Sequence, residues 1–111
     1  MIHNRGKYGH SVKKGLLDVC VLARLSRGES YGYQLISDLS AVIDISESTL
    51  YPILKRLEAA GQLTTFTREH DGRLRRYYRI TRLGMVRVRE FEDDWREMRR
   101  INAFIQGELY D

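Results

Sequence analysis

A mainly α-helical domain carrying one small β-hairpin and ending in a long helix is the fold class this sequence predicts. Three observations predict it. Apolar residues recur at helical spacing in three separate stretches before Gly61. The period then changes from 3.6 to 2 on either side of Asp71-Gly72, a strong hairpin signal. From Thr81 onward, apolar residues return in steps of four and three, the rhythm of a helical seam. At 111 residues the chain is long enough for one domain with one modest core.

Residues 1–13 are polar and basic, with Arg5, Lys7, Lys13 and no acid. Gly6 and Gly9 are expected to break a helix, so this segment reads as a flexible arm. A first helix is expected from about Lys14 to Leu25, with an apolar stripe of Leu16, Leu17, Cys20, Val21 and Leu25. Val19 and Leu22 widen that stripe, which implies burial on more than one side. After a turn at 26–30, Ser30 can cap a second helix from Tyr31 to about Val42. Its inward set is Tyr31, Leu35, Ile36 and Leu39, and Gly32 permits close helix approach.

Ser46 or Ser48 caps the third helix. Its buried face is Leu50, Ile53, Leu54 and Leu57, at i, i+3, i+4 and i+7. Its other face carries Thr49, Tyr51, Lys55 and Arg56, and Gly61 stops it. Proline lacks an N–H and is tolerated near a helix start. A cap at Ser48 would place Pro52 fourth in the helix, whereas a cap at Ser46 would cost a hydrogen bond or bend the first turn. Leu63–Thr67 and Arg75–Ile80 are β-rich runs flanking the Asp-Gly turn, and Arg68, Arg73, Arg75 and Arg76 decorate the hairpin. Three helices followed by a basic hairpin is the winged helix-turn-helix layout. Thr81 caps the last helix, to about Gln106, whose seam is Gly84, Val88, Phe91, Trp95, Met98, Asn102, Ile105 and Leu109, widened by Ile101 and Phe104. One domain can cover only part of such a seam, so a second copy of the chain, hence a two-fold homodimer, is expected. Three segments follow: an arm at 1–13, a winged-helix domain at 14–81 and a dimerisation helix at 82–111.

The charge distribution narrows the partner. Residues 1–82 hold 14 Lys/Arg and 8 Asp/Glu, a balance of +6, whereas residues 83–111 hold 5 and 7, a balance of −2. The positive excess lies with the polar face of helix three, favouring a polyanion such as double-stranded DNA there. The arm is then either without a role or laid along that DNA. No apolar run reaches the length of a membrane span, and the start lacks a secretory signal. The single cysteine, Cys20, reads as a small core residue in a protein of the reducing cytosol, here associated with the nucleoid. His3, His10 and His70 have no cysteine or carboxylate at metal spacing, so neither metal nor cofactor is expected. No phosphate loop, nucleophile elbow or paired-carboxylate pattern supports an enzyme. Glu92, Asp93 and Asp94 fan around a helix and read as a solvated face.

The sequence resembles the PadR family of bacterial transcriptional regulators, in its short form with a single C-terminal helix. The matching residues are Tyr31-Gly32-Tyr33, Thr49-Leu50-Tyr51-Pro52, Leu54-Lys55-Arg56-Leu57-Glu58, Gly61, Gly72-Arg73, and Tyr78 with Thr81 and Gly84. The resemblance implies a homodimer that binds a palindromic operator and usually represses transcription. Ser48, Thr49, Tyr51 and Lys55 would then face DNA from helix three, and Arg73, Arg75 and Arg76 would hold phosphate. Some short members resemble a multidrug sensor whose tryptophans stack planar compounds between subunits, and Trp95 falls at the matching place. Release by a small aromatic effector is thus one reading of Trp95; packing alone is the other. The alternative to a DNA-binding regulator is a winged-helix protein-interaction module that has lost DNA binding.

Overall fold

The computed structural model describes residues 5–108, with side chains from residue 15 onward. The elements are α1 (Arg5–Leu25), β1 (Ser30–Tyr31), α2 (Gly32–Leu39), α3 (Glu47–Ala59), β2 (Leu63–His70), β3 (Arg73–Ile80) and α4 (Arg82–Ile105). The fold is the mainly helical, winged arrangement expected. The apolar stripes of α1, α2 and α3 meet in one core, where Leu22, Leu25, Leu35, Leu50, Leu54 and Leu57 are almost fully buried, and Leu63 and Tyr78 of the sheet close it. Cys20 packs at its margin, and burial pushes its thiol pKa up, as suits a small core residue.

Several boundaries differ from expectation. Helix α1 begins at Arg5 rather than near Lys14, so Gly6 and Gly9 lie inside it. Each glycine costs a helix only about 1 kcal/mol relative to alanine, and no proline interrupts the run. Of the expected arm, residues 1–4 lie outside the described residues, as does Leu109 of the seam. Ser30 caps nothing. It opens the short strand β1, pairing antiparallel with Tyr78 of β3, while Tyr31 pairs with Tyr77 and is itself the N-cap of α2. The sheet therefore has three strands in the order β1-β3-β2, not two. A two-residue strand is too short to show a period. Helix α2 ends at Leu39, three residues earlier than expected.

Local chemistry explains the remaining stops and turns. Asp71 (φ 53°) and Gly72 (φ 78°) both take positive φ, which lets the hairpin turn in two residues with His70 opposite Arg73. Gly61 (φ 75°) ends α3 with its own N–H donating to Glu58 and that of Gln62 to Leu57, a paired closure of the last turn. Thr81 caps α4 as expected, its hydroxyl accepting from the Gly84 N–H at 3.2 Å.

Helix α4 divides in two. Gly84 is buried, Val88 packs on the core and Phe91 is half-buried, so this part of the seam serves its own domain. Beyond it Trp95 (55 % exposed), Met98 (56 %), Ile101, Phe104 and Ile105 have little cover within the chain, and Asn102 is exposed beside them. The 24 residues of α4 extend roughly 36 Å at 1.5 Å per residue, and the chain measures 61 × 29 × 26 Å.

Candidate nucleic-acid interface

The first turn of α3 is built from hydroxyls. Ser46, not Ser48, is the N-cap, in extended backbone, and its side chain makes no capping bond. Its Oγ instead lies 3.0 Å from Ser48 Oγ and 3.4 Å from Thr49 Oγ1, so three hydroxyls cluster at the exposed helix start. With this cap Pro52 is the sixth helical residue. The Ser48 carbonyl therefore lacks the usual donor four residues on. Ser48, Thr49, Pro52 and Lys55 are all exposed on one side of the helix, opposite buried Leu50, Ile53, Leu54 and Leu57.

Tyr51 sits at the edge of that side and is 41 % exposed. Its ring reaches under the start of α2, where its hydroxyl occupies the space a Cβ on Gly32 would need. That is why glycine stands between Tyr31 and Tyr33. Partial burial, with smaller contributions from Glu47 and Tyr33, raises the Tyr51 phenol pKa, so the hydroxyl stays protonated at neutral pH. Tyr31, Tyr33, Tyr51, Arg75, Arg76 and Tyr78 line a cleft between α2, α3 and the wing. Tyr33, at 67 % exposure, is a candidate missed from sequence; only the pairing of β1 with β3 brings the start of α2 to the cleft that holds two arginines.

The basic residues sort into two groups. Lys55 and Arg73 are exposed, with no carboxylate among the described residues at ion-pair distance. Arg76 is 63 % exposed and only loosely held, 3.7 Å from Glu58. Arg75 lies over the Tyr31 ring at 4.7 Å, a cation–π contact that orients a guanidinium without neutralising it. Arg75 and Arg76 line the cleft, Arg73 stands at the wing tip, and Lys55 lines a neighbouring concavity with Tyr51 and Arg76.

Arg56 and Arg68 are each held by a carboxylate. Arg56 Nη2 donates to Asp18 Oδ1 at 2.6 Å, on the side of α3 facing α1. Arg68 pairs with Glu29 at 3.2 Å and stacks over Phe66 and Tyr77 at 5.0 and 4.9 Å. Arg79, unnoticed in the sequence, shares Glu29 at 2.7 Å and covers Phe66 at 4.5 Å. Hydrogen bonding from Arg79 foremost, and from Arg68, outweighs the desolvation penalty and holds the Glu29 pKa below its ordinary value. A depressed carboxylate pKa means the clamp is complete at neutral pH and is lost as acid takes the solution below the usual glutamate range. The signal for Arg79 was strand parity: it lies two residues beyond Tyr77 and four beyond Arg75 on the same face.

Residues 21–90 match the sequence profile of the Transcriptional regulator PadR-like family. The chain belongs to that family. This PadR-like chain is 30 % identical to a PadR-like transcription factor of Bacteroides fragilis, with 89 % of this chain and 98 % of that one covered at a TM-score of 0.78. It is 32 % identical to a PadR-like transcriptional regulator of Bacillus cereus, covering 86 % and 96 % at a TM-score of 0.76. It is also 41 % identical over 71 residues to a transcriptional regulator of Mycobacterium tuberculosis, covering 63 % of this chain and 66 % of that one. As a member of the family, this protein is a DNA-binding transcription regulator and not an enzyme. Among the described residues, no helix is long and apolar enough to cross a membrane.

Proposed function

We propose that this PadR-like protein is a sequence-specific repressor that binds a palindromic operator as a two-fold homodimer in the cytoplasm, at the nucleoid. The observation that carries the reading is the meeting of α3 and the wing, where Tyr51 shares one cleft with Arg75 and Arg76 and a neighbouring one with Lys55 and Arg76, next to the exposed Ser48 and Thr49 of the first turn of α3. Hydroxyls and a lysine on a helix narrow enough for the major groove suit base edges and phosphates, and a wing of arginines suits the flanking backbone. Tyr51 is held at its tip by Gly32 and contributes a fixed edge to that surface rather than a mobile probe. Arg56 and Arg68 are assigned to holding the fold. The winged-helix domain of residues 14–81 does the reading, and the helix from 82 onward joins two copies through its uncovered half.

Footprinting on the chain's own upstream DNA tests the proposal. A protected palindrome is expected, with half-sites about one helical turn, ~34 Å, apart. Equal affinity for that DNA and for random duplex at physiological salt would defeat it and favour the interaction-module reading.

We assign Trp95 to a planar aromatic effector held between the two α4 helices. Its ring is more than half exposed in the single chain, with exposed Glu92 and Asp94 close by in the helix and Asp93 already paired to Arg96 at 2.9 Å. Planar cations should quench Trp95 fluorescence saturably and weaken operator binding in the same concentration range. A flat response across a broad panel leaves Trp95 as packing alone.

A further inference from the structure

One acid stands inside the apolar stripe of α1. Asp18 is 5 % exposed, between Leu17 and Val19. A buried carboxylate is costly unless charged donors meet it. Two do, from different elements: Arg56 of α3 at 2.6 Å on Oδ1 and Arg87 of α4 at 3.3 Å on Oδ2. Arg87 also donates from Nη1 to the Gln62 side chain at 2.9 Å, and Gln62 is the residue that closes the end of α3. The start of α4 is bound to the same place by its backbone. The Thr81 hydroxyl donates to the Gly61 carbonyl at 2.7 Å, and the Thr81 N–H donates to the Gln62 carbonyl at 3.1 Å. Gly84 is glycine because the Gln62 carbonyl fills the space of a Cβ.

These contacts join the C-terminal half of the recognition helix to the first two turns of the helix that leaves the domain. Apolar packing is non-directional and would let α4 tilt or slide on the core. A carboxylate shared by two guanidiniums, one of them anchored again at Gln62, holds a single angle. We infer that Asp18 and Arg87 are positioning residues that fix the angle between α3 and α4, and so set the half-site spacing this regulator accepts on DNA. This rests on the two-fold reading above: with two chains joined through the far half of α4, the separation of their α3 helices depends on that angle.

The test compares the full-length protein and its Arg87→Met variant on two duplexes, the footprinted operator and the same operator with one base pair inserted at its centre. Methionine keeps an apolar stem in the half-buried site and leaves the Asp18–Arg56 pair in place. The wild type should discriminate against the insertion. In Arg87→Met the ratio of the two affinities should shrink by about tenfold, within the usual range of coupling between sites. A general loss of stability would lower both affinities together and leave the ratio alone. If the variant fails to fold by circular dichroism, Gln62→Ala, which removes only the outer anchor of Arg87, should move the ratio in the same direction. An unchanged ratio in a folded variant overturns the positioning role while the dimer reading stands. A wild type indifferent to the insertion overturns the two-fold reading itself, and the inference with it.

Discussion

Changing Met98 to Glu is expected to turn the protein into a monomer. Met98 sits in the middle of the uncovered half of α4, 56 % exposed, with Trp95, Ile101 and Ile105 along the same stretch. Glutamate is a good helix former, so α4 itself should persist. In a two-fold interface the substitution occurs twice, and each copy brings an unpaired carboxylate into an apolar seam. Leaving a charge buried without a partner costs about 3–5 kcal/mol. That is enough to move dimer dissociation by several orders of magnitude. Sedimentation velocity at micromolar protein should show the wild type at twice the chain mass and Met98→Glu at the chain mass, with Met98→Leu still dimeric. Operator affinity should fall with dimerisation, since one half-site offers only half the contacts. A wild type that sediments as a monomer, or a Met98→Glu protein that stays dimeric, removes the seam from this role.

Replacing Arg73, Arg75 and Arg76 together by Ala should remove most DNA binding at physiological salt while leaving the fold intact. None of the three holds a buried carboxylate, and the polar partners of Arg76 are Glu58 and Thr65, both partly exposed. Each neutralised phosphate contributes about 0.9 to the slope of log affinity against log salt. Three arginines in each of two chains should therefore flatten that slope by about 5. The loss should be uniform across sequences, because phosphate carries no base identity. Lys55→Ala or Thr49→Ala should instead cost about 1–3 kcal/mol, mostly on the operator, and relax its preference. Fluorescence anisotropy on operator and random duplex from low to physiological salt separates the two patterns. A triple variant with an unaltered slope would place the wing off the DNA.

The elements of the fold were legible because their signals are local. Gly61 closes α3 through bonds of at most five positions, Thr81 caps α4 through the Gly84 N–H three positions on, Asp71-Gly72 turns the wing within two residues, and the stripes of α1, α2 and α3 each follow from their own spacing. Strand β1 was not legible, since two residues show no period and its partner lies 46–48 positions on. The cap of α3 was only narrowed to two serines, because Ser46 and Ser48 offer the same hydroxyl.

The sequence by itself determined the helices, the wing, the basic character of the wing and of the open face of α3, and a charged C-terminal helix carrying an apolar seam longer than its own domain covers. The tertiary structure alone decided which charges remain available. Lys55 and Arg56 are neighbours on one helix, and Arg68 and Arg73 are alike on one hairpin. Yet Asp18 reaches Arg56 from 38 residues away and Glu29 reaches Arg68 from 39, while Lys55 and Arg73 have no such acid among the described residues. Whether a guanidinium is free for phosphate depends on which carboxylate lies within a few ångströms of it in space. That distance comes from the packing of α1, α3 and the wing, and no spacing along the chain contains it.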